Sequence, residues 1–435
     1  MKVVRLASRG DGVLENGRHV PFAAPGDEVD EAGRITPGPH NQAPPCRHFP
    51  ECGGCQLQHI DDLAYADFVT DRIASALAAQ GITGVHIRPP HLSPPNSRRR
   101  ATLHWAGTGG AVSIGFKGAR SHRVVDMREN YILRPELLAL VDPLRRLLNG
   151  RGRAGEVGLT LTDGGVDLTL SGAKFEGLPG ADAITAFAAE NKLARLSIDD
   201  GLGPEPRWEP EPVTVTLGGS SSEYPGGGRG PDHALNPGRS AGGGRRALDP
   251  VPCRGTPVPF PPNAFLQATA DGEAALVAAV LEAIGPARTT ADLFAGLGTF
   301  ALAPPGRVYA AEGAQDAVLA LKTAANRSGR QLFVDHRDLF RRPLTMAELN
   351  RFEAVVLDPP RAGAKEQVAE LARAAVPRIA YASCNPATFA RDAATLVAGG
   401  HRLDWAKPVG QFRWSTHVEL VGCFTLSSPP RAGPS

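Results

Sequence analysis

Asp292-Leu293-Phe294-Ala295-Gly296-Leu297-Gly298 ends a short apolar run on a turn with two glycines, and the next run, Val308-Tyr309-Ala310-Ala311, closes on Glu312. Glycines let backbone approach a ligand closely, and in open parallel sheets ligands lie beyond the carboxyl ends of the strands. An acidic side chain at the end of the second strand can accept hydrogen bonds from two ribose hydroxyls. Gly296 and Gly298 are therefore the expected cofactor-turn residues, and Glu312 the expected ribose partner. A turn built for pyrophosphate would carry a third glycine where Thr299-Phe300-Ala301 stands, so a nucleoside cofactor without phosphate is favoured.

Outward from this turn, strand-like runs at 331–334, 354–357, 379–382, near 403–405 and at 418–421 are mostly separated by helical stretches at 317–326, 365–375 and 387–398. A helix over 268–284 leads into the first strand. This alternation predicts an α/β doubly wound sheet of seven strands. Pro304-Pro305-Gly306 cuts the helix after the glycine turn short.

Upstream, residues 3–29 break into short apolar runs separated by Gly10-Asp11-Gly12 and Pro25-Gly26-Asp27, the spacing of a small β unit. Residues 92–215 carry strand-like runs with helical patches, a mixed α+β pattern. Residues 218–255 collapse into Gly, Ser, Pro and Arg, too little apolar surface to fold alone, and are expected to be disordered. The expected organisation is a β-barrel over 1–44, an α+β unit over 45–256 containing that insert, a catalytic unit over 257–428 and a tail over 429–435. The helical part of 59–90 is expected to pack on the catalytic unit.

The 435 residues are 42% hydrophobic with a net charge of +2, enough for ordinary cores and too little charge to announce nucleic acid. Local basic clusters exist at Arg98-Arg99-Arg100 and at Arg145, Arg146, Arg151 and Arg153. No run approaches the ~20 apolar residues that span a bilayer, so a cytoplasmic protein without a membrane partner is expected.

Three segments carry chemistry at later strand ends: Asp358-Pro359-Pro360-Arg361, Cys384 in Tyr381-Ala382-Ser383-Cys384-Asn385-Pro386, and His417-Val418-Glu419. A thiol, a carboxylate and a cofactor pocket are the minimum set for alkylating carbon 5 of uracil. Thiolate addition at carbon 6 makes carbon 5 nucleophilic, and a base then removes the carbon 5 proton so that the thiol leaves. Cys384 is the candidate nucleophile and Glu419 the candidate proton acceptor. A Glu between Val418 and Leu420 in an apolar run otherwise lacks a reason.

The order of these motifs resembles the S-adenosylmethionine-dependent family that makes 5-methyluridine in RNA, over nearly the whole chain apart from the insert. The resemblance implies a class I methyltransferase fold, S-adenosyl-L-methionine as cofactor, and cofactor contacts at Gln267, Phe294, Thr299, Glu312, Asp338 and Asp358. Gly10-Asp11-Gly12-Val13 and Pro25-Gly26-Asp27-Glu28-Val29 resemble a TRAM domain, a small RNA-binding barrel. Cysteine clustering in a chain without a secretory signal points to metal binding, and spacing alone leaves zinc open. Cys46, Cys52 and Cys55, with Gly53-Gly54 between the last two, resemble the iron-sulfur motif of the ribosomal-RNA members and imply a 4Fe-4S cluster. Where relatives place a fourth cysteine, this chain has Asn130. The TRAM-like start and the cysteine motif together imply 23S rRNA as substrate; a monomeric enzyme is expected. The alternatives are a tRNA uridine-5 or RNA cytosine-5 methyltransferase, and an RNA-binding protein without catalysis.

Overall fold

The computed structural model describes residues 1–108, 110–218 and 255–427. The expected insert, apart from its two end residues, and the expected tail lie outside the described residues.

One nine-stranded sheet carries the catalytic motifs. Its spatial order is Leu332–His336, Arg307–Glu312, Thr289–Leu293, Ala354–Leu357, Arg378–Ser383, Glu419–Leu426 and His401–Gly410. The first five run parallel, and Glu419–Leu426 is antiparallel to both of its neighbours. This is the predicted seven-stranded doubly wound sheet. Two short strands, His86–Ile87 and His91–Leu92, add in parallel to the free side of His401–Gly410. All four residues of Ala354–Leu357 are buried, the pattern of a strand covered on both faces.

Helix Ala270–Ile284 packs against Arg378–Ser383 and Glu419–Leu426. It starts where Thr269 accepts the Gly272 N–H in its side chain at 3.1 Å, an N-cap that satisfies one orphan donor of the first turn. Helix Asp62–Ala78, capped by Asp61, packs against helix Pro386–Ala398. No α-helix forms between Thr289–Leu293 and Arg307–Glu312; residues 296–302 are turns. The prolines at 304 and 305 bar helical continuation, so the shortening read from sequence goes further than expected.

A second sheet of six strands has the order Pro204–Trp208, Arg195–Asp199, Gly165–Ser171, Ala154–Thr162, Arg100–Thr108, Ala111–Gly115. Alternation in Arg100–Thr108 buries Ala101, Leu103 and Trp105 on one face. At the N-terminus Val3–Leu6, Gly12–Leu14 and His19–Val20 form an antiparallel sheet beside the pair Glu28–Val29 and Ile35–Thr36. Val3, Leu14, Val20, Ala23 and Val29 make its small core, an arrangement compatible with a small barrel. Among the described residues no helix is long and apolar enough to cross a membrane.

Candidate active site

A cavity of about 1080 Å³ opens at the carboxyl ends of the parallel strands. Its wall brings together Cys384, Glu419, Gln267, Phe294, Gly296, Thr299, Glu312, Asp338 and Asp358, every expected catalytic and cofactor residue except Gly298. Gly298 lies behind the wall at φ +96, where a Cβ would sit 2.4 Å from the Leu321 side chain. It lets the turn pack and does not face the cavity.

On the cofactor side the backbone is held in conformations that few residues adopt. Phe294 has φ 67 and Gly296 φ 54, so the chain reverses sharply at the strand end. The Gly296 N–H donates to Glu312 Oε2 at 2.8 Å and the Ala314 N–H to Oε1 at 2.7 Å. Glu312 thus ties two strand ends together while each oxygen keeps a second lone pair for a ligand. Asp338 Oδ1 accepts the Phe340 N–H at 3.0 Å, and the Phe340 ring lies 5.3 Å from that of Phe294.

Carboxylates concentrate here. Burial, and then Glu312, push Asp292 up to about 7, opposed by a hydrogen bond from the Ala301 backbone. Asp358 is raised well above the usual carboxylate range by burial, then by Glu419, Asp292 and Glu312. Like charges in a desolvated wall cannot all ionise, and a cationic ligand relieves that conflict. Asp292 opens the glycine turn, yet nothing in the local pattern marks its carboxyl as buried.

On the reaction side Cys384 is half-buried, one residue past strand Arg378–Ser383 and two before helix Pro386–Ala398. Asn385 caps that helix by accepting the Ala387 N–H at 3.1 Å and donates to the Arg361 carbonyl at 3.1 Å. Arg361 in turn donates to His417 Nδ1 at 2.7 Å. His417 must be an unprotonated acceptor at that nitrogen, and partial burial followed by Arg361 lowers its pKa accordingly. Burial raises the Cys384 thiol, Glu419 and Asp358 raise it further, and Arg361 opposes them. Burial also pushes Glu419 up to about 7, opposed by a hydrogen bond from Gln411 and by Arg361.

The far wall comes from the N-terminal half and was not read from sequence as part of this site. Gly53, Gly54 and Gln56 of the cysteine loop line it, with Arg98 set over the rings of Phe412 and Phe116 at 5.3 and 5.8 Å. The basic clusters divide. Arg98 faces the cavity, whereas Arg99 is paired with Glu273 at 2.7 Å and Arg145 with Asp126 at 2.8 Å, so those two serve the fold.

Cys46, Cys52 and Cys55 line one recess together with Asn130. Burial raises all three thiols, Cys55 up to about 12. The recess of about 20 Å³ has room for roughly one water molecule. The Asn130 oxygen is already taken by the Ile132 and Leu133 N–H groups at 2.9 and 2.8 Å. Among the described residues no group of three or more His, Cys, Asp or Glu is arranged to hold a metal ion. A cluster of the four-cysteine type needs one thiolate more than the three that stand here among the described residues, so these donors do not fit that type, and the 4Fe-4S expectation finds no support in this geometry.

The family model described as tRNA (Uracil-5-)-methyltransferase matches residues 307–426. An uncharacterized RNA methyltransferase of Zymomonas mobilis is 48% identical over 98% of this chain and 99% of its own length. The 23S rRNA (uracil(1939)-C(5))-methyltransferase RlmD of Chromohalobacter salexigens is 30% identical over 99% of this chain and 90% of its own. Among solved structures, the Pyrococcus abyssi tRNA (uracil-54, C5)-methyltransferase in complex with S-adenosyl-L-homocysteine superposes with a TM-score of 0.66. That match spans 98% of this chain and 100% of the archaeal one at 20% identity, a likeness of fold.

Proposed function

Because this chain belongs to the S-adenosylmethionine-dependent RNA (uracil-5-)-methyltransferase family, we propose that it methylates carbon 5 of a uridine in 23S rRNA through a covalent Cys384–uracil adduct. The observation that carries this reading is the sharing of one cavity by Cys384, Glu419 and the glycine turn. Family membership sets aside the cytosine-5 and non-catalytic readings.

S-adenosylmethionine supplies an electrophilic methyl group when bound. Gln267, Phe294, Gly296, Thr299, Glu312, Asp338 and Asp358 are the residues proposed to hold it, and their carboxylates suit its positive charge. The target uridine leaves its stack to enter the cavity, with Arg98 and the N-terminal, TRAM-like strands holding flanking RNA. Cys384 loses its proton and attacks carbon 6. Its thiol is raised in the free protein, so ionisation is coupled to substrate binding, helped by Arg361 and by the start of helix Pro386–Ala398. With carbon 5 methylated, Glu419 removes the carbon 5 proton, the double bond re-forms and Cys384 departs as thiolate. No step passes through the cysteine recess.

The choice of 23S rRNA rests on the near full-length similarity to RlmD; the tRNA reading is favoured by the description of the matching family model and stands second. Nucleoside mass spectrometry of separated rRNA and tRNA from a deletion strain tests the pair. Loss of 5-methyluridine from 23S rRNA is expected, and loss from tRNA alone would overturn the assignment.

A further inference from the structure

Gln411 is buried at 1% exposure, directly after strand His401–Gly410, and its amide contacts Gln267 of the cavity wall from behind. The Thr269 N–H donates to Gln411 Oε1 at 3.4 Å, which fixes the amide so that its NH₂ points the other way. One N–H of that group donates to Gln267 Oε1 at 2.8 Å, and the antiparallel pairing of Val409 with Glu419 brings Gln411, two residues on, alongside the Glu419 carboxyl, whose pKa the amide lowers. The arrangement needs a glycine at 272, where a Cβ would come within 2.7 Å of the Gln411 Cβ. Behind it, Thr269 Oγ1 meets Ser93 Oγ at 2.9 Å and Asp271 meets His91 at 2.7 Å, so the support of the amide is itself held.

Glu419 works in hostile surroundings. Asp358 and Cys384 face it and gain negative charge when they ionise, Asp292 and Glu312 stand behind Asp358, and His417 two residues away is held neutral. Arg361 is the cation that opposes them, and its guanidinium is shared with His417. Gln411 is the neutral donor on the other side. An amide does not relay protons as a hydroxyl does, so its contribution is orientation and charge stabilisation.

We propose that Gln411 is a positioning residue that keeps the Glu419 carboxylate ionised and aimed into the cavity while it removes the carbon 5 proton. This rests on reading Glu419 as the proton acceptor. The test is a single-turnover rapid-quench assay with S-adenosylmethionine and 23S rRNA from the deletion strain, following decay of the methylated protein–RNA adduct from pH 5.5 to 9.5. In Gln411→Met the acid limb of adduct decay is expected to move up by about one pH unit, slowing decay about fivefold at pH 7 and about tenfold at pH 6 and below, and recovering in alkali. Gln411→Glu, which sets a second carboxylate against Glu419, is expected to move it further in the same direction. Binding of S-adenosylhomocysteine by both variants reports that they are folded. An unmoved midpoint in both variants, or a slow decay that no pH restores, overturns the proposal. Should Glu419→Gln release its adduct at the normal rate, the base assignment fails first, and absence of 5-methyluridine from the wild-type reaction overturns the functional reading itself.

Discussion

The catalytic rim and the cysteine recess share a wall, since Gly54 and Phe116 line both, yet sequence and geometry agree in one and part in the other. At the rim every motif ends or begins a strand of one sheet. Hydrogen-bonded register between Thr289–Leu293, Ala354–Leu357, Arg378–Ser383 and Glu419–Leu426 then places the side chains at one edge whatever the loops do. The recess depends on a loop at 46–55 meeting a segment about 75 residues later, and the two are joined through isolated bridges, Cys52 to Gly118 and Lys117 to Val124, rather than through a named strand pair. Where a fourth donor was expected, Asn130 caps its own turn. A motif carried on strand ends is enforced by the fold; a motif spread over loops holds only while each loop keeps its own residue.

The largest effect is expected at the rim, from Cys384→Ala. Turnover should fall by at least about a thousandfold, with no covalent complex on 5-fluorouridine RNA, while S-adenosylhomocysteine still binds by calorimetry. Normal turnover would show that the rim had been misread. Next comes Glu419→Gln, expected to cost about a hundredfold in product release and to leave the methylated adduct visible on a denaturing gel. A pH series on the wild type sharpens the same assignment. Glu419 must be deprotonated to act and is raised to about 7, so adduct decay should slow about tenfold per unit below pH 7 and level off above it. A flat profile from pH 5 to 8 would point to another base. The smallest effect belongs to the recess: a variant with Cys46, Cys52 and Cys55 all changed to Ser should bind S-adenosylhomocysteine as the wild type does and raise KM for RNA several-fold, because Gly53, Gly54 and Gln56 wall the RNA side of the cavity. A loss of cofactor affinity in that variant would join the two regions more closely than their geometry does.

Much of the fold was legible because apolar runs of four to six residues separated by helical stretches leave few topologies open. The strands at 86–92 escaped notice because two residues cannot show alternation, and Pro89-Pro90 between them reads as loop. The replacement of the first crossover helix by turns was half legible, since the prolines announced an early stop without saying that no helix would form. In the site, Cys384, Asp358 and Glu419 were found through their strand-end positions. Gln411 was not, because its role arises from a partner at Gln267 far away along the chain; Arg98 stood out as part of a basic cluster, while its place in the cavity wall beside Phe412 did not. Gly298 was grouped with Gly296 by pattern, and only φ and the nearness of Leu321 separate a packing glycine from a cavity glycine.

The pairing of His86–Ile87 and His91–Leu92 with His401–Gly410 has a consequence for how the molecule is made. A ribosome releases residues 86–92 long before their partner strand exists, and that strand is the last but one of the sheet to be synthesised. The early segment must wait in an unpaired state across some three hundred residues, the long-range closure that slows folding and leaves chains vulnerable to wrong association. Two prolines between the waiting strands remove donors from that edge and blunt it as a template for other chains.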